Sequence, residues 1–269
     1  MYKIIKKKNC VFEYFQLGEH TEKIILFTDF KSSINRWNKQ FIENLSKYFT
    51  VVCFNYPEIG QSKYEQIEKI EDYAKFAIDM LDLDGKDDFY FFGHSMGGYV
   101  VRSYLSLNNC PMPKAVIFNN TSPGGQKRVV LNRDIYHILN NEDSESPAYI
   151  KLMYGKNIGL DVLNESYLSR DVLNISKDVE KKQTELIMNF FKEESLYSQK
   201  ISQPVCIIHG RNDQVFPLQN AYNFLPMCEN ITELHLTHGH HAHLTEYSDY
   251  IAKIIISFVQ DLKKFNLKI

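Results

Sequence analysis

The stretch Gly93-His94-Ser95-Met96-Gly97 constrains this chain more than any other. It lies between an apolar, strand-like run, Phe89-Tyr90-Phe91-Phe92, and a helix-like run, Gly98-Tyr99-Val100-Val101-Arg102-Ser103-Tyr104-Leu105. A central serine flanked by glycines, between a strand and a helix, predicts a sharp turn. In such a turn the serine backbone is strained, and side chains at the glycine positions would clash. The turn lifts the Ser95 hydroxyl off the sheet and aims the N-terminus of the next helix at the group that reacts there. This is the pattern of a nucleophile elbow, with Gly93 and Gly97 as its glycines.

A serine hydroxyl is a weak nucleophile until a base takes its proton. An elbow therefore asks for an acid and then a histidine further along the chain. Pro204-Val205-Cys206-Ile207-Ile208-His209-Gly210 reads as a buried strand ending in a turn, and Asp213 follows just past its C-terminal end, where sites of open α/β sheets gather. An Asx-type turn is the structural alternative for this aspartate. The preceding core strand, at 114–118, is followed by Asn119-Asn120-Thr121, which offers no carboxylate, so Asp213 is favoured. Ile231-Thr232-Glu233-Leu234-His235-Leu236 reads as the last strand. Five of the nine histidines lie between 235 and 243, so the base has to be chosen among neighbours. His240 is the choice, because it follows Gly239 at the strand's C-terminal end. His243 is expected to begin the final helix. His235, His238, His241 and His243 are read mostly as ordinary polar loop or surface residues. A zinc site is the rival use of such a cluster, but its spacing fits neither a two-histidine helix motif nor a finger.

With Ser95, Asp213 and His240 in that order, the chain resembles the α/β-hydrolase superfamily, over about residues 10–120 and 201–269. Ile24-Ile25-Leu26-Phe27-Thr28-Asp29-Phe30 is similar to that family's third strand and oxyanion loop. Trp37 stands where a tryptophan is often found at the start of the next helix. Asn55-Tyr56-Pro57-Glu58-Ile59-Gly60-Gln61-Ser62 resembles its Asp-x-Pro-Gly-x-Gly-x-Ser loop. Two departures stand out. The family usually has His-Gly where this chain has Thr28-Asp29, and Asp and Gly where this chain has Asn55 and Glu58. The resemblance implies that the backbone N–H groups of Phe30 and Met96 hold the oxyanion, and it makes Asp29, His94 and Tyr154 substrate-pocket candidates.

A length of 269 residues suits one core with an inserted segment. Lys+Arg 31 against Asp+Glu 33 leaves no basic field, so nucleic acid is not an expected partner. Five scattered cysteines without a C-x-x-C fit a reduced, cytoplasmic protein, with Cys53 and Cys206 as small buried apolar residues. The N-terminus has lysines but no apolar stretch after them, so no signal peptide is expected. No apolar run reaches the ~18 residues of a membrane span.

Along the chain, strands at 2–5 and 11–17 are expected as an antiparallel pair. Further strands at 24–27, 51–54, 88–92 and 114–118 alternate with helices at 37–48, 67–82 and 96–107, and a last helix is expected at about 248–265. Alternation of this kind predicts a mostly parallel sheet covered on both faces. Between 121 and 200 the strand pattern stops, and helical segments run on with breaks near 140–147, 155–159 and 174–177. The expected architecture is an α/β-hydrolase fold: a mostly parallel central sheet flanked by helices, with a helical cap at 121–200 inserted after the sixth strand and a core of 1–120 and 201–269. Tyr136, Tyr149, Met153, Tyr154, Phe190 and Phe191 line a substrate cavity or form the cap's own core, and packing is the favoured use for most of them.

The expected function is a serine hydrolase acting on a small-molecule ester or similar activated acyl group, with no metal or organic cofactor. A thioesterase or acyltransferase and a carbon–carbon bond hydrolase would use the same residues. A non-catalytic ligand-binding protein on this fold is the reading from another class. A haloalkane dehalogenase is disfavoured, because it needs a carboxylate at position 95.

Overall fold

The computed structural model describes residues 1–264 other than 65, 125–127, 130–131, 143–144, 157 and 170–172. Eight strands form one sheet in the order β1-β2-β4-β3-β5-β6-β7-β8. They are β1 (Tyr2–Lys7), β2 (Cys10–Leu17), β3 (Lys23–Phe27), β4 (Thr50–Phe54), β5 (Phe89–His94), β6 (Ala115–Asn119), β7 (Val205–Gly210) and β8 (Thr232–Thr237). β1 pairs antiparallel with β2, and β2 antiparallel with β4; every other pairing is parallel. The parallel part follows from composition. Every residue of β4, β5, β6 and β7 is buried, as expected for near-continuous apolar runs covered on both faces.

The first three helices are α1 (Lys39–Leu45), α2 (Asp72–Met80) and α3 (Met96–Tyr104). Between β6 and β7 come α4 (Arg133–Asn141), α5 (Pro147–Tyr154), α6 (Leu160–Ser166), α7 (Lys177–Lys192) and α8 (Ser195–Ser198), and the chain closes with α9 (Gln219–Tyr222) and α10 (Ser248–Lys264). α2 and α3 pack into the apolar layer on one face of the sheet; α1 and α10 pack on the other, where Ile251, Ile255, Phe258 and Leu262 are buried. Each such side chain contributes about 1.5–3 kcal/mol by leaving water. Cys53 and Cys206 lie in this second layer, buried as small apolar residues.

The helix breaks between β6 and β7 fall where the sequence punctuates. Ser146 caps α5 by accepting from the Tyr149 N–H, with Pro147 next to it, and Gly155 ends α5 at φ +70°. Ser176 caps α7 by accepting from the Val179 N–H. Two helices are shorter than their apolar periodicity suggests. The expected helix at 67–82 starts only at Asp72, because the Asp72 carboxylate accepts from the backbone N–H of Glu68 and Lys69 at 2.9 and 2.8 Å and holds that segment in a turn. The expected helix at 37–48 starts after Asn38, whose side chain accepts from the Phe41 N–H and leaves Trp37 extended.

Strand order reverses direction at β3, which lies between β4 and β5. Ligands of open α/β sheets gather outside the carboxyl ends of the strands at such a switch point. β5 ends there in the Gly93–Gly97 turn.

Candidate active site

Ser95 occupies the tip of the turn between β5 and α3 at φ +53° and ψ −119°, a conformation that costs a non-glycine residue of order 1–3 kcal/mol. The surroundings hold it there. The Ser95 N–H donates to the Asn119 carbonyl (3.1 Å), and the Ser95 carbonyl accepts from the Gly98 N–H (3.0 Å) and Thr121 Oγ1 (2.7 Å). Both elbow glycines are sterically required. A Cβ at Gly93 would stand 2.6 Å from the Gly97 carbonyl oxygen, and one at Gly97 would stand 2.0 Å from the Phe27 carbonyl oxygen. Close approach of α3 to β3 and β5 therefore depends on these two residues.

Asp213 lies past the end of β7 and is 3 % exposed. Its two carboxylate oxygens have separate uses. Oδ1 accepts from the Val215 and Phe216 N–H groups at 2.8 and 2.9 Å, which is the turn-making role, and Oδ2 accepts from a histidine Nδ1 at 2.9 Å. The turn thus fixes in place the carboxylate that meets the imidazole.

That imidazole is His241, not His240. His241 is 2 % exposed, and its Nε2 stands 3.1 Å from Ser95 Oγ. Because Asp213 can only accept when ionised, Nδ1 of His241 carries the proton, and Nε2 presents its lone pair to the serine hydroxyl. The ring is wedged between Phe216 and His94, at centroid distances of 5.4 and 5.2 Å. The expected assignment of His240 fails because the loop turns one residue later. Asn120, at φ +42°, donates from Nδ2 to the carbonyls of both His240 (2.8 Å) and His241 (2.6 Å), and its Oδ1 accepts from the Gly210 N–H at 2.8 Å. This clamp presents the His241 side chain to Ser95 and leaves the His240 ring against Gly155 at the end of α5.

The remaining histidines separate. His238 is exposed, and His235 Nε2 pairs with Glu233 at 2.7 Å on β8. His243 does not begin the last helix, which starts at Ser248; it is fully buried in the preceding turns. It belongs to a hydrogen-bonded row: His94 Nδ1–H donates to Asn119 Oδ1 (2.8 Å), Asn119 Nδ2 donates to His243 Nε2 (2.8 Å), and His243 Nδ1–H donates to Thr237 Oγ1 (2.8 Å). Burial first, and then the His241 imidazole, lower His94 to about 4, and burial holds His243 well below the ordinary histidine range. Burial likewise lowers His209, whose Nε2–H donates to the Phe216 carbonyl at 2.7 Å and steadies the Asp213 turn. Among the described residues, the metal-ligating types that come together are Cys206, Glu233 and His235, away from the serine.

A cavity of about 1060 Å³ opens over Ser95, between the sheet edge and the helices of 133–192. Phe30, Met96, Asp29, His94 and Tyr154 all line it together with Ser95 and His241. Its aromatic wall combines the two expected uses, because Met153 and Tyr154 also belong to a buried apolar cluster with Ile150, Leu152 and Leu163. Tyr136, Tyr149, Met153, Tyr154 and Phe191 face the cavity, whereas Phe190 is buried and stacks on Tyr99 at 4.9 Å. The loop carrying Asp29 and Phe30 is pinned from several sides. Tyr56 Oη donates to the Thr28 carbonyl (3.0 Å), Asn55 Oδ1 accepts from the Ile34 N–H (2.9 Å), and Gln183 Oε1 of α7 accepts from the Lys31 N–H (3.0 Å). Lys31, at φ +54°, also pairs with Glu180 of α7 at 3.1 Å.

A family model described as "alpha/beta hydrolase fold" matches residues 27–247. A protein of Synechocystis sp. named "Putative non-heme chloroperoxidase" is 24 % identical over 258 residues, 89 % of this chain and 91 % of that protein. An alpha/beta hydrolase fold protein from Chitinophaga pinensis superposes with a TM-score of 0.78 at 20 % identity, covering 96 % of each chain. A meta-cleavage product hydrolase from Pseudomonas fluorescens superposes with a TM-score of 0.75 at 14 % identity, covering 96 % of this chain and 97 % of that one.

Proposed function

The chain belongs to the alpha/beta hydrolase family, and we propose that it is a serine hydrolase cleaving a carboxylic ester, or a similarly activated acyl group, through an acyl-enzyme. The observation that carries this reading is the hydrogen-bonded line from Asp213 through His241 to Ser95, buried at the mouth of a turn that strains the serine backbone. His241 Nε2 takes the Ser95 proton as Oγ attacks the acyl carbon, and the imidazolium that forms is stabilised by Asp213. The tetrahedral oxyanion is held by the backbone N–H groups of Met96, the first residue of α3, and Phe30. His241 then gives its proton to the leaving alcohol as the carbon–oxygen bond breaks. Water, deprotonated by His241, attacks the acyl-enzyme and returns Ser95 to its free form. These steps call for no metal or organic cofactor. The helices of 133–198 act as a cap, and the aromatic residues of α5 and α7 set which acyl groups fit.

The test is covalent labelling. A fluorophosphonate is expected to modify Ser95 alone, and p-nitrophenyl esters are expected to be turned over at a rate that Ser95→Ala lowers by several orders of magnitude. Label on another serine, or none on folded protein, overturns the reading. The fold likeness to a meta-cleavage product hydrolase brings a second reading, in which the same three residues hydrolyse a carbon–carbon bond beside a ketone. Labelling at Ser95 with no ester turnover, but with cleavage of a vinylogous diketone acid, would decide for it.

A further inference from the structure

We propose that Asp29, with Tyr149 and Tyr154, forms a subsite for an ammonium-type cation carried by the substrate. The inference rests on the serine hydrolase reading for what happens beside the subsite, but the binding it describes is measurable without turnover.

Asp29 lies on the cavity wall, next in sequence to Phe30 and on the same cavity as Ser95. It is partly buried, and its carboxylate has one side-chain hydrogen bond, from Thr28 Oγ1 to Oδ1 at 3.0 Å. Among the described residues no Lys, Arg or His nitrogen lies within 4.0 Å of it. Arg133, at the start of α4, lines the cavity as well, and three other cations of its wall have contacts of their own. Lys31 pairs with Glu180, Arg36 stacks on the Tyr167 ring at 4.9 Å, and Arg128 stacks on the Phe191 ring at 4.2 Å. A carboxylate on a cavity wall with no cation within salt-bridge distance leaves a ligand free to supply the opposite charge there.

The neighbouring surface suits a cation rather than a neutral donor. Tyr149 and Tyr154 line the same cavity as Asp29, and both phenols feel its charge, which adds to burial in raising them, although Arg36 opposes it at Tyr149. Tyr154 Oη is already joined to Tyr167 Oη at 2.8 Å, so its hydroxyl is engaged while its ring remains part of the wall. Aromatic faces with a carboxylate beside them attract quaternary and primary ammonium groups, which a neutral alkyl group of the same shape does not match.

Asp29 also bears on the reacting centre. The oxyanion forms at the N–H of the adjoining residue, and like charge opposes it. A cation seated between them offsets that repulsion as the charge develops, so the subsite acts on the transition state as well as on binding. A neutral ester leaves the repulsion in place.

The experiment compares an acylthiocholine with its neutral isostere, the 3,3-dimethylbutyl thioester of the same acid. The wild type is expected to show kcat/KM at least tenfold higher for the cationic substrate, and Asp29→Asn is expected to bring the ratio close to one. Tyr149→Leu, which leaves Asp29 in place, is expected to lower the ratio partway. Calorimetry with tetraethylammonium on Ser95→Ala protein is expected to show binding that Asp29→Asn weakens at least tenfold. A wild-type ratio near one, or a ratio unchanged in Asp29→Asn, overturns the subsite. Cation binding that depends on Asp29, together with no fluorophosphonate labelling and no thioester turnover in the wild type, keeps the subsite and overturns the hydrolase reading instead.

Discussion

The His240 imidazole rests directly on the backbone of Gly155: a Cβ at position 155 would stand 1.9 Å from its Cε1. Two further contacts join the same elements, the Ala242 N–H donating to the Met153 carbonyl at 2.8 Å and Lys156 pairing with Glu246 at 2.7 Å. The end of α5 and the loop carrying His241 are thereby one packed unit. His240 packs against the helix while the next side chain along meets Ser95.

Adjacent histidines with opposite uses give the first prediction. His241→Ala removes the group facing Ser95 and is expected to lower ester turnover by about three orders of magnitude or more. His240→Ala removes a packing contact and is expected to keep turnover within about tenfold of wild type. Steady-state kinetics of the two variants decide it. If His240→Ala were as inactive as Ser95→Ala and His241→Ala active, the base would be misassigned.

Gly155 is predicted to be intolerant of a side chain for two additive reasons. Its φ of +70° disfavours any Cβ, and the His240 ring occupies the space. Gly155→Ala is expected to destabilise the protein by about 1–3 kcal/mol, read from urea unfolding. Part of that loss is steric against one ring, so His240→Ala in the same chain is expected to restore some of it. Strict additivity of the two substitutions would mean that the ring and the helix end do not meet.

The elbow turn, the placement of Asp213 past a strand end and the mostly parallel sheet were legible because each is written in local pattern: glycines around Ser95, an aspartate beyond an apolar run, strands alternating with helices. The base was not. His240 and His241 are neighbours in a loop, where no periodicity tells which side chain turns inward. The deciding contacts come from Asn120, some 120 residues away in sequence, through backbone carbonyls that carry no sequence signal. A pair of polar residues, Asn119 and Asn120, closing a buried strand was the available hint that the strand end holds something in place. The aromatic wall was hidden for a different reason. Ile150, Leu152, Met153 and Tyr154 of α5 are all buried, so apolar spacing cannot separate a cavity-facing side from a core-facing one.

The buried histidine row predicts a pH dependence of stability with a definite sign. His94 is lowered to about 4 by burial and by His241, against 6.5 in an unfolded chain. Between these values the unfolded state binds a proton that the folded state does not, so stability falls as pH drops from about 6.5 towards about 4. Above 6.5 the group is neutral in both states and the slope vanishes. The loss amounts to about 1.4 kcal/mol per pH unit inside the window. His243, lowered by burial, acts in the same direction. Unfolding free energies measured at pH 7, 6 and 5 are expected to decline in the wild type and to decline less steeply in His94→Asn. Equal slopes in the two proteins would show that His94 takes up its proton in the folded state as readily as in the unfolded one.

Asn120 supports the last prediction, as a residue that positions the site without touching substrate. It is fully buried, stands at φ +42°, and spends its side chain on three backbone groups: the carbonyls of His240 and His241 and the N–H of Gly210. Asn120→Ala leaves all three without their partner and keeps the disfavoured φ. At roughly 1 kcal/mol or more for each buried group left unsatisfied, the loss is expected to reach about 3 kcal/mol. Asn120→Asp keeps an acceptor for Gly210 but turns a carboxylate on two carbonyl oxygens, so it is expected to be at least as damaging. Asn120→Gly relieves the backbone and loses the bonds, so it falls between wild type and Asn120→Ala in stability. Its activity should still drop, because the clamp that turns His241 towards Ser95 is gone. The distinguishing readout is the rate of fluorophosphonate labelling of Ser95 in folded Asn120→Gly protein. A rate lowered at least tenfold shows that Asn120 orients the base, whereas a wild-type rate in a merely destabilised protein would assign it to folding alone.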